Sequence, residues 1–317
     1  MAGACRRQRP PGWARVRSSA ETAAEERDDL AESGVAIQFD ANTCDWMAYC
    51  VTICKSNKIA LSLQMVRETV RILMVGERVY TNSPVQEAII DFRVEFEAPP
   101  PLELLKAIME LEKDRYPQIE PRSYYQGTFT VGPIIGASTE QLSTGYVAWN
   151  EGRTQAFQAR VDGFTFSRLR PYTNWDEVRS EADRLFSRFC ELTPGGRIRR
   201  SAVRFINRID FTDPKVDLDD FFLTGLKIPP ALDTGFAAAL VQLHFPNPEE
   251  NRMLVLNLAS VPPESEGVQS FVLDLDSFES ADFRSDDEAW ASVERHHSGV
   301  KHAFEASITD RLREMFE

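Results

Sequence analysis

The sequence is short of the features that announce a chemistry. No stretch approaches the roughly 18 apolar residues of a membrane-spanning helix. It contains no G-x-S-x-G elbow, phosphate-binding glycine loop or dinucleotide fingerprint, so no common hydrolase or nucleotide-binding pattern applies. Histidine is scarce, at four in 317 residues. No pair among His296, His297 and His302 has the i, i+3 or i+4 spacing that lets two helical ligands share one metal. Basic residues are outnumbered, 36 against 49 acidic for a net charge of −13, which opposes nonspecific attraction to nucleic acid or anionic membrane. Of five cysteines only Cys190 falls beyond residue 54; this is no secreted disulfide framework, and a reducing cytoplasm is the expected compartment. Cys44, Cys50 and Cys54 offer three sulfurs with no nearby histidine, short of the four ligands of a structural zinc site. No metal or cofactor is expected.

What is present is 43% hydrophobic residues, enough for sizeable cores, arranged in periodic segments. The clearest run is Asp162 to Phe211. Asn174 is a good N-cap with Glu177 three residues on. Val178, Ala182, Leu185, Phe186, Phe189 and Cys190 then form one apolar stripe of a helix that Pro194-Gly195-Gly196 stops. The flanks alternate with period two instead. Phe157, Ala159 and Val161 lead through an Asp162-Gly163 turn to Phe164 and Phe166; after the helix, Val203, Phe205, Ile209 and Phe211 share one strand face, with Arg200, Arg204 and Arg208 on the other. A helix is predicted to lie across a sheet.

The rest of the chain extends this pattern. Residues 1–73 start basic and proline-containing without a secretory apolar segment, switch to an acidic run, and are expected to be a poorly ordered extension. From Met74 the predicted order to Phe211 is β-α-β-β-β-β-α-β, opening on a strand through Ile90, Phe92 and Val94 and a helix after Pro99-Pro100-Pro101. A connector over 213–235 carries Phe221, Phe222 and Leu223 as core-docking residues. Strands over 236–245, 253–260 and 269–278 follow, then a final helix capped by Ser285 with Glu288 and carrying Trp290, Val293, His297, Val300, Phe304 and Ile308. The fold class is therefore α+β, with antiparallel sheets and helices on one face. Two related units, 74–212 and 236–317, are predicted, because each has three strands and then a capped helix starting near a tryptophan, Trp175 or Trp290.

Several motifs together resemble a sporadically distributed family of uncharacterised bacterial proteins. They are Tyr80-Thr-Asn-Ser-Pro-Val-Gln-Glu-Ala-Ile-Ile-Asp-Phe-Arg93, Tyr116-Pro117, Gly163-Phe-Thr-Phe-Ser-Arg-Leu-Arg-Pro-Tyr172 with Trp175, Arg204-Phe-Ile-Asn-Arg-Ile209, Leu273-Asp-Leu-Asp276 and Phe304-Glu-Ala-Ser-Ile-Thr309. The resemblance spans about residues 74–317. It implies no established activity, and members start near Met74, which leaves open whether residues 1–73 belong to the working protein.

The arginines are the leading candidates for a site. Arg200, Arg204 and Arg208, with Arg168 and Arg170 closing the strand before the helix, could form one basic patch for a carboxylate, a phosphate or an acidic partner. A solvated face with these arginines paired to Asp162, Asp210 and Glu191 is the competing arrangement. His297 takes an apolar position on the final helix stripe, and Asp274 and Asp276 share a strand face where they could hold a metal or a proton. The expected function is protein binding through a sheet face or groove, conceivably in an accessory or defence-type system. The alternatives are a small-molecule pocket or enzyme site near the arginine strands and His297, and, against the charge balance, nucleic-acid binding through the same arginines.

Overall fold

Alternation of apolar with polar residues builds one large sheet. In the computed structural model the described residues are 78–317, apart from 131–135, 214–215, 226–230 and 232–236, with side chains left out over 124–142. The cysteine cluster, the acidic run and the rest of the amino-terminal extension lie outside them. The strands are β1 (Val85–Glu95), β2 (Gln118–Thr130), β3 (Gly136–Trp149), β4 (Gln155–Arg160), β5 (Gly163–Leu169), β6 (Arg197–Phe211), β7 (Leu240–Asn247), β8 (Arg252–Val261) and β9 (Gln269–Ser280). The helices are α1 (Leu102–Leu111), α2 (Trp175–Leu192), α3 (Asp286–Ser307) and α4 (Asp310–Glu314). All strands pair antiparallel, in the order β2-β3-β4-β5-β1-β6-β9-β8-β7.

The element order matches the sequence expectation, and the sheet differs from it. Instead of two sheets divided by a connector, β6 pairs with β9 from Arg200↔Ser280 to Phe211↔Gln269, and residues 78–317 form one compact unit. The physical reason is that β6 has two edges, with β1 on one side and β9 on the other, so a meander arriving from either side completes its ladder. The first hairpin strands are also longer than their sequence pattern indicates, and the β4–β5 turn is Val161-Asp162 with Gly163 already in the strand. Gly163 is required there: its φ is +147°, and a Cβ would stand 2.1 Å from the Phe92 carbonyl oxygen.

Both caps form as the sequence suggests. The Asn174 side chain accepts from Glu177 N at 2.9 Å, and Ser285 from Glu288 N at 3.2 Å. The returning carboxylates go elsewhere than the cap's own N–H: Glu177 accepts from Thr173 and Asn174 side chains, and Glu288 from Arg284 N. The α2 and α3 apolar stripes meet over the sheet centre. Phe92 of β1 packs on Phe186 of α2 at 4.4 Å between ring centroids and on Trp290 of α3 at 4.9 Å, so both helices cover one face of one sheet. That face is dry, with Ala88, Ile90, Phe92, Phe164, Phe166, Val203, Leu273 and Leu275 fully buried. In the connector, Phe221 and Phe222 dock as expected, whereas Leu223 is 64% exposed. The final element is not one helix: α3 ends at Ser307, Ile308 bridges back to Phe222, and Thr309 caps the short α4.

Because Phe92 is the point where strand and both helices touch, Phe92→Ala should cost about 3–5 kcal/mol. Urea unfolding followed by tryptophan fluorescence measures it, and a loss under ~1 kcal/mol would show that the helix layer does not rest on this ring.

Candidate functional site

Among the described residues no helix packs on the other sheet face, which displays the residues of opposite parity. In β1 these are Ile89, Asp91 and Arg93, in β6 Arg200, Ala202 and Arg204, and in β9 Asp274 and Asp276. All but Asp274 line a basin of about 230 Å³. Each position follows from strand alternation, which sends residues between buried apolar neighbours to the opposite side.

The charges in and beside the basin form a lattice. Arg204 binds Asp274 through two nitrogens, Nε to Oδ1 and Nη2 to Oδ2, both at 2.7 Å, and Asn257 donates to the same carboxylate at 3.1 Å. Asp91 is the hub on the other side: it accepts from Arg200 at 3.2 Å, from the nearly buried Arg160 at 3.0 Å and from Thr165 at 2.8 Å, and lies 3.4 Å from Arg93. Arg93 and Arg160 also bind Asp162 in the β4–β5 turn. Arg200 lies over the Phe278 ring at 4.5 Å and holds Asp276 only loosely, at 3.8 Å. Burial keeps the Asp276 carboxyl above its usual range, and Asp274 and Asp91 add to this against Arg200 and Arg204. Burial, then Arg160 and Arg93, hold the nearby Arg122 guanidinium below its ordinary value. A preformed set of guanidinium donors facing water can hold a carboxylate or phosphate; two buried or paired aspartates among them limit how much anion the face accepts.

Only part of the expected patch assembles. Arg200 and Arg204 line the basin. Arg208 shares their face but lies toward the far end of β6, nearly buried, bound to Asp210, Ser270 Oγ and the Pro262 carbonyl. Arg168 pairs across from Ala88 and so belongs to the helix-bearing face, where its side chain donates to the Pro171 carbonyl. Arg170 follows the end of β5, its backbone N–H bonded to Gln86. The reason is parity: Arg168 is in step with Phe164 and Phe166. Of the expected counterions, Asp210 pairs with Arg208, while Asp162 pairs with Arg93 and Arg160 and Glu191 with Arg188 on α2, outside the expected patch. Asp274 and Asp276 share a face, but Asp274 is committed to Arg204 and Asn257. Asp91, Arg93 and Arg160 were missed, although the alternation in IIDFRVEF would have found the first two.

His297 is on the opposite side of the sheet, so it forms no common pocket with the arginines. Its ring stacks on Trp175 at 4.0 Å with an interplanar angle of 4°, and burial lowers its pKa to about 4. The neighbour that the helix stripe left unassigned, His296, is the fully buried one. Its Nδ1 meets Ser277 Oγ at 2.9 Å and its Nε2 meets Ser292 and Ser201 Oγ at 3.1 and 3.2 Å, while Ser292 donates to Glu279 at 2.6 Å. Burial, then Arg252, Arg295 and Arg200, lower the His296 pKa to about 3. Neither a family model nor a curated protein matches the chain.

Asp274→Asn should cost about 1–3 kcal/mol, because it breaks the two-nitrogen pair to Arg204, whereas Asp276→Asn should be neutral or stabilising at pH 7, since its ionised form is disfavoured in the fold. Equal losses in thermal unfolding for both would contradict this. Both histidines are neutral in the fold and protonate near pH 6.5 when unfolded, so their contribution is complete above pH 6.5 and falls away as pH drops towards 4. Unfolding free energy should therefore decline between pH 6.5 and 4.5, and His297→Phe should flatten that slope.

Proposed function

We propose that this protein is a protein-binding module whose open sheet face receives an acidic segment of a partner, a carboxylate of that segment seated in the basin between Arg93, Arg200 and Arg204. The supporting observation is the convergence of these three arginines on a water-facing basin in a chain of net charge −13. Asp91 and Asp274 hold the guanidiniums in place before any ligand arrives, and the loose 3.8 Å contact of Arg200 with Asp276 leaves a donor to spend on the partner. A volume of about 230 Å³ is below the roughly 300–1,000 Å³ usual for small-molecule pockets, which favours a side chain on a larger ligand. A free small anion is the second reading, supported by the raised Asp276 carboxyl, whose negative charge burial disfavours beside the arginines. The interleaved aspartates weigh against nucleic acid.

The same reading takes the chain as a duplicated unit, with β1 to α2 related to β6 to α3. An offset of 111 residues (285 minus 174) carries Asn174 to Ser285 and Glu177 to Glu288, moves β5 within β9, and lays β1 almost wholly within β6. In each half a meander runs inward from an edge and returns beside the half's first strand, β5 beside β1 and β9 beside β6. With its resemblance to the sporadically distributed bacterial family, the proposed setting is the bacterial cytoplasm, within an accessory or defence-type system.

The test is affinity capture with the full chain from its native cells, comparing wild type with Arg93→Glu and Arg200→Glu, with mass spectrometry of proteins and of small molecules released on denaturation. A stoichiometric protein lost from both variants, at unchanged thermal stability, is the expected result. A retained small anion without a protein would support the second reading, and unfolding of both variants would make these arginines structural.

A further inference from the structure

The two ends of the sheet are treated differently by the sequence. An edge strand exposes a row of unpaired N–H and C=O groups, and proteins usually guard it with charge or proline directed at the edge. At one end, β2 carries Glu120, Pro121 and Arg122. At the other, β7 reads LVQLHFPN without a charged residue. Its partner is β8 alone among the described strands. Leu240, Leu243 and Phe245 are 69%, 37% and 47% exposed, three of the seven large apolar side chains that the described residues leave bare.

The apolar row lies on the helix-bearing side. Register carries Val241, Leu243 and Phe245 across Leu258, Leu256 and Leu254 of β8 to Leu273, Leu275 and Ser277 of β9, a row that is buried at β9. The layer thins because α3 packs over β6 and β9 and does not extend to the edge. The backbone is equally open. Ser260 N donates to the Ala239 carbonyl at 3.0 Å, so the odd-numbered residues of β7 exchange bonds with β8 and the even-numbered Leu240, Gln242, His244 and Pro246 point their main-chain groups outward. Pro246 lies in this outward row and offers only its carbonyl, so the open edge donates through Leu240, Gln242 and His244, and each Leu240–Pro246 position of a paired second copy is one bond short.

We infer that β7 is a self-association edge: two copies of the chain pair β7 with β7 antiparallel about a two-fold axis through Leu243, extending the sheet from one protomer into the next. The occupant is a second copy because the strand complements itself. About Leu243, Val241 meets the other copy's Phe245 and Leu243 meets Leu243 on the helix-bearing side, while Gln242 meets His244 on the other. Every apolar residue in the row thereby faces an apolar one. Two chains each of charge −13 meet across a strand with no charge, which removes the like-charge repulsion that most of either surface would supply. Leu243 and its mate form a pair without mutual backbone bonds, the closer of the two cross-strand spacings.

The mass of the full chain in solution tests this directly. Wild type should run at twice 35.9 kDa by light scattering, and Leu243→Glu, which sets two carboxylates against each other, at 35.9 kDa. Leu243→Cys, oxidised and digested, should yield a 243–243 linked peptide by mass spectrometry, and this arm stands even where the glutamate variant fails to fold. A wild type monomeric at every concentration measured would overturn the inference. So would a dimer that survives Leu243→Glu and gives no 243–243 peptide, since it would use another surface, and so would crosslinking through Gln242→Cys in its place, since it would require another register.

Discussion

The antiparallel pairing of β1 with β6 is the constraint on which the structure depends. Both strands alternate between the two register shifts, over Ala88–Arg93 and Arg200–Phe205, and pairing brings like parity to like side. One side gathers Ala88, Ile90, Phe92, Val203 and Phe205; the other gathers Asp91, Arg93, Arg200 and Arg204. A slip of one residue would place guanidiniums beneath α2 and α3 and phenylalanines in water, so register is held by the hydrophobic effect of a whole layer and not by any one contact. The two meanders then add to the outer edges of this pair, β5 to β1 and β9 to β6, and the helices that follow them close over the same face.

This division assigns different work to the charges on each side. On the open face the ion pairs are half exposed, so their net contribution to stability is modest, and their role is geometric: Asp91 and Asp274 fix the directions of three arginines that would otherwise repel one another. Beneath α3 the polar groups are dry, and each must be satisfied. His296 therefore sits neutral among Ser201, Ser277 and Ser292, a cluster that ties α3 to β6 and β9 where an apolar side chain could have served. The stacked His297 and Trp175 join α3 to the start of α2 in the same layer. These histidines bind the two helices to the sheet, on the face opposite the basin.

A nine-stranded sheet has two edges, and the free row of β7 differs from β2 in composition and in the thinning of the helix layer above it. The basin proposed to receive acidic segments and the edge inferred to pair with itself occupy different parts of one sheet, so the two can operate together: a two-fold assembly would present two basins.

The sequence by itself determined the local elements. The caps at Asn174 and Ser285, the apolar stripe of α2, the alternation of β6 and the antiparallel α+β character are all short-range consequences of backbone geometry and periodicity, and each is legible in a window of about ten residues. Alternation also announced that Arg200, Arg204 and Arg208 share a face. Only the tertiary structure decided which strands lie beside one another. It joined two expected sheets into one through β6 and β9, put Arg168 and His297 on the far side from Arg204, brought Asp91 and Arg93 from β1 into the basin, and made His296 the buried histidine in place of its neighbour. Such outcomes depend on pairings between residues 70 to 110 positions apart in the chain, such as Arg204 with Asp274 and Arg200 with Asp91. Periodicity gives each strand its two faces; it carries no information about which neighbour will share them.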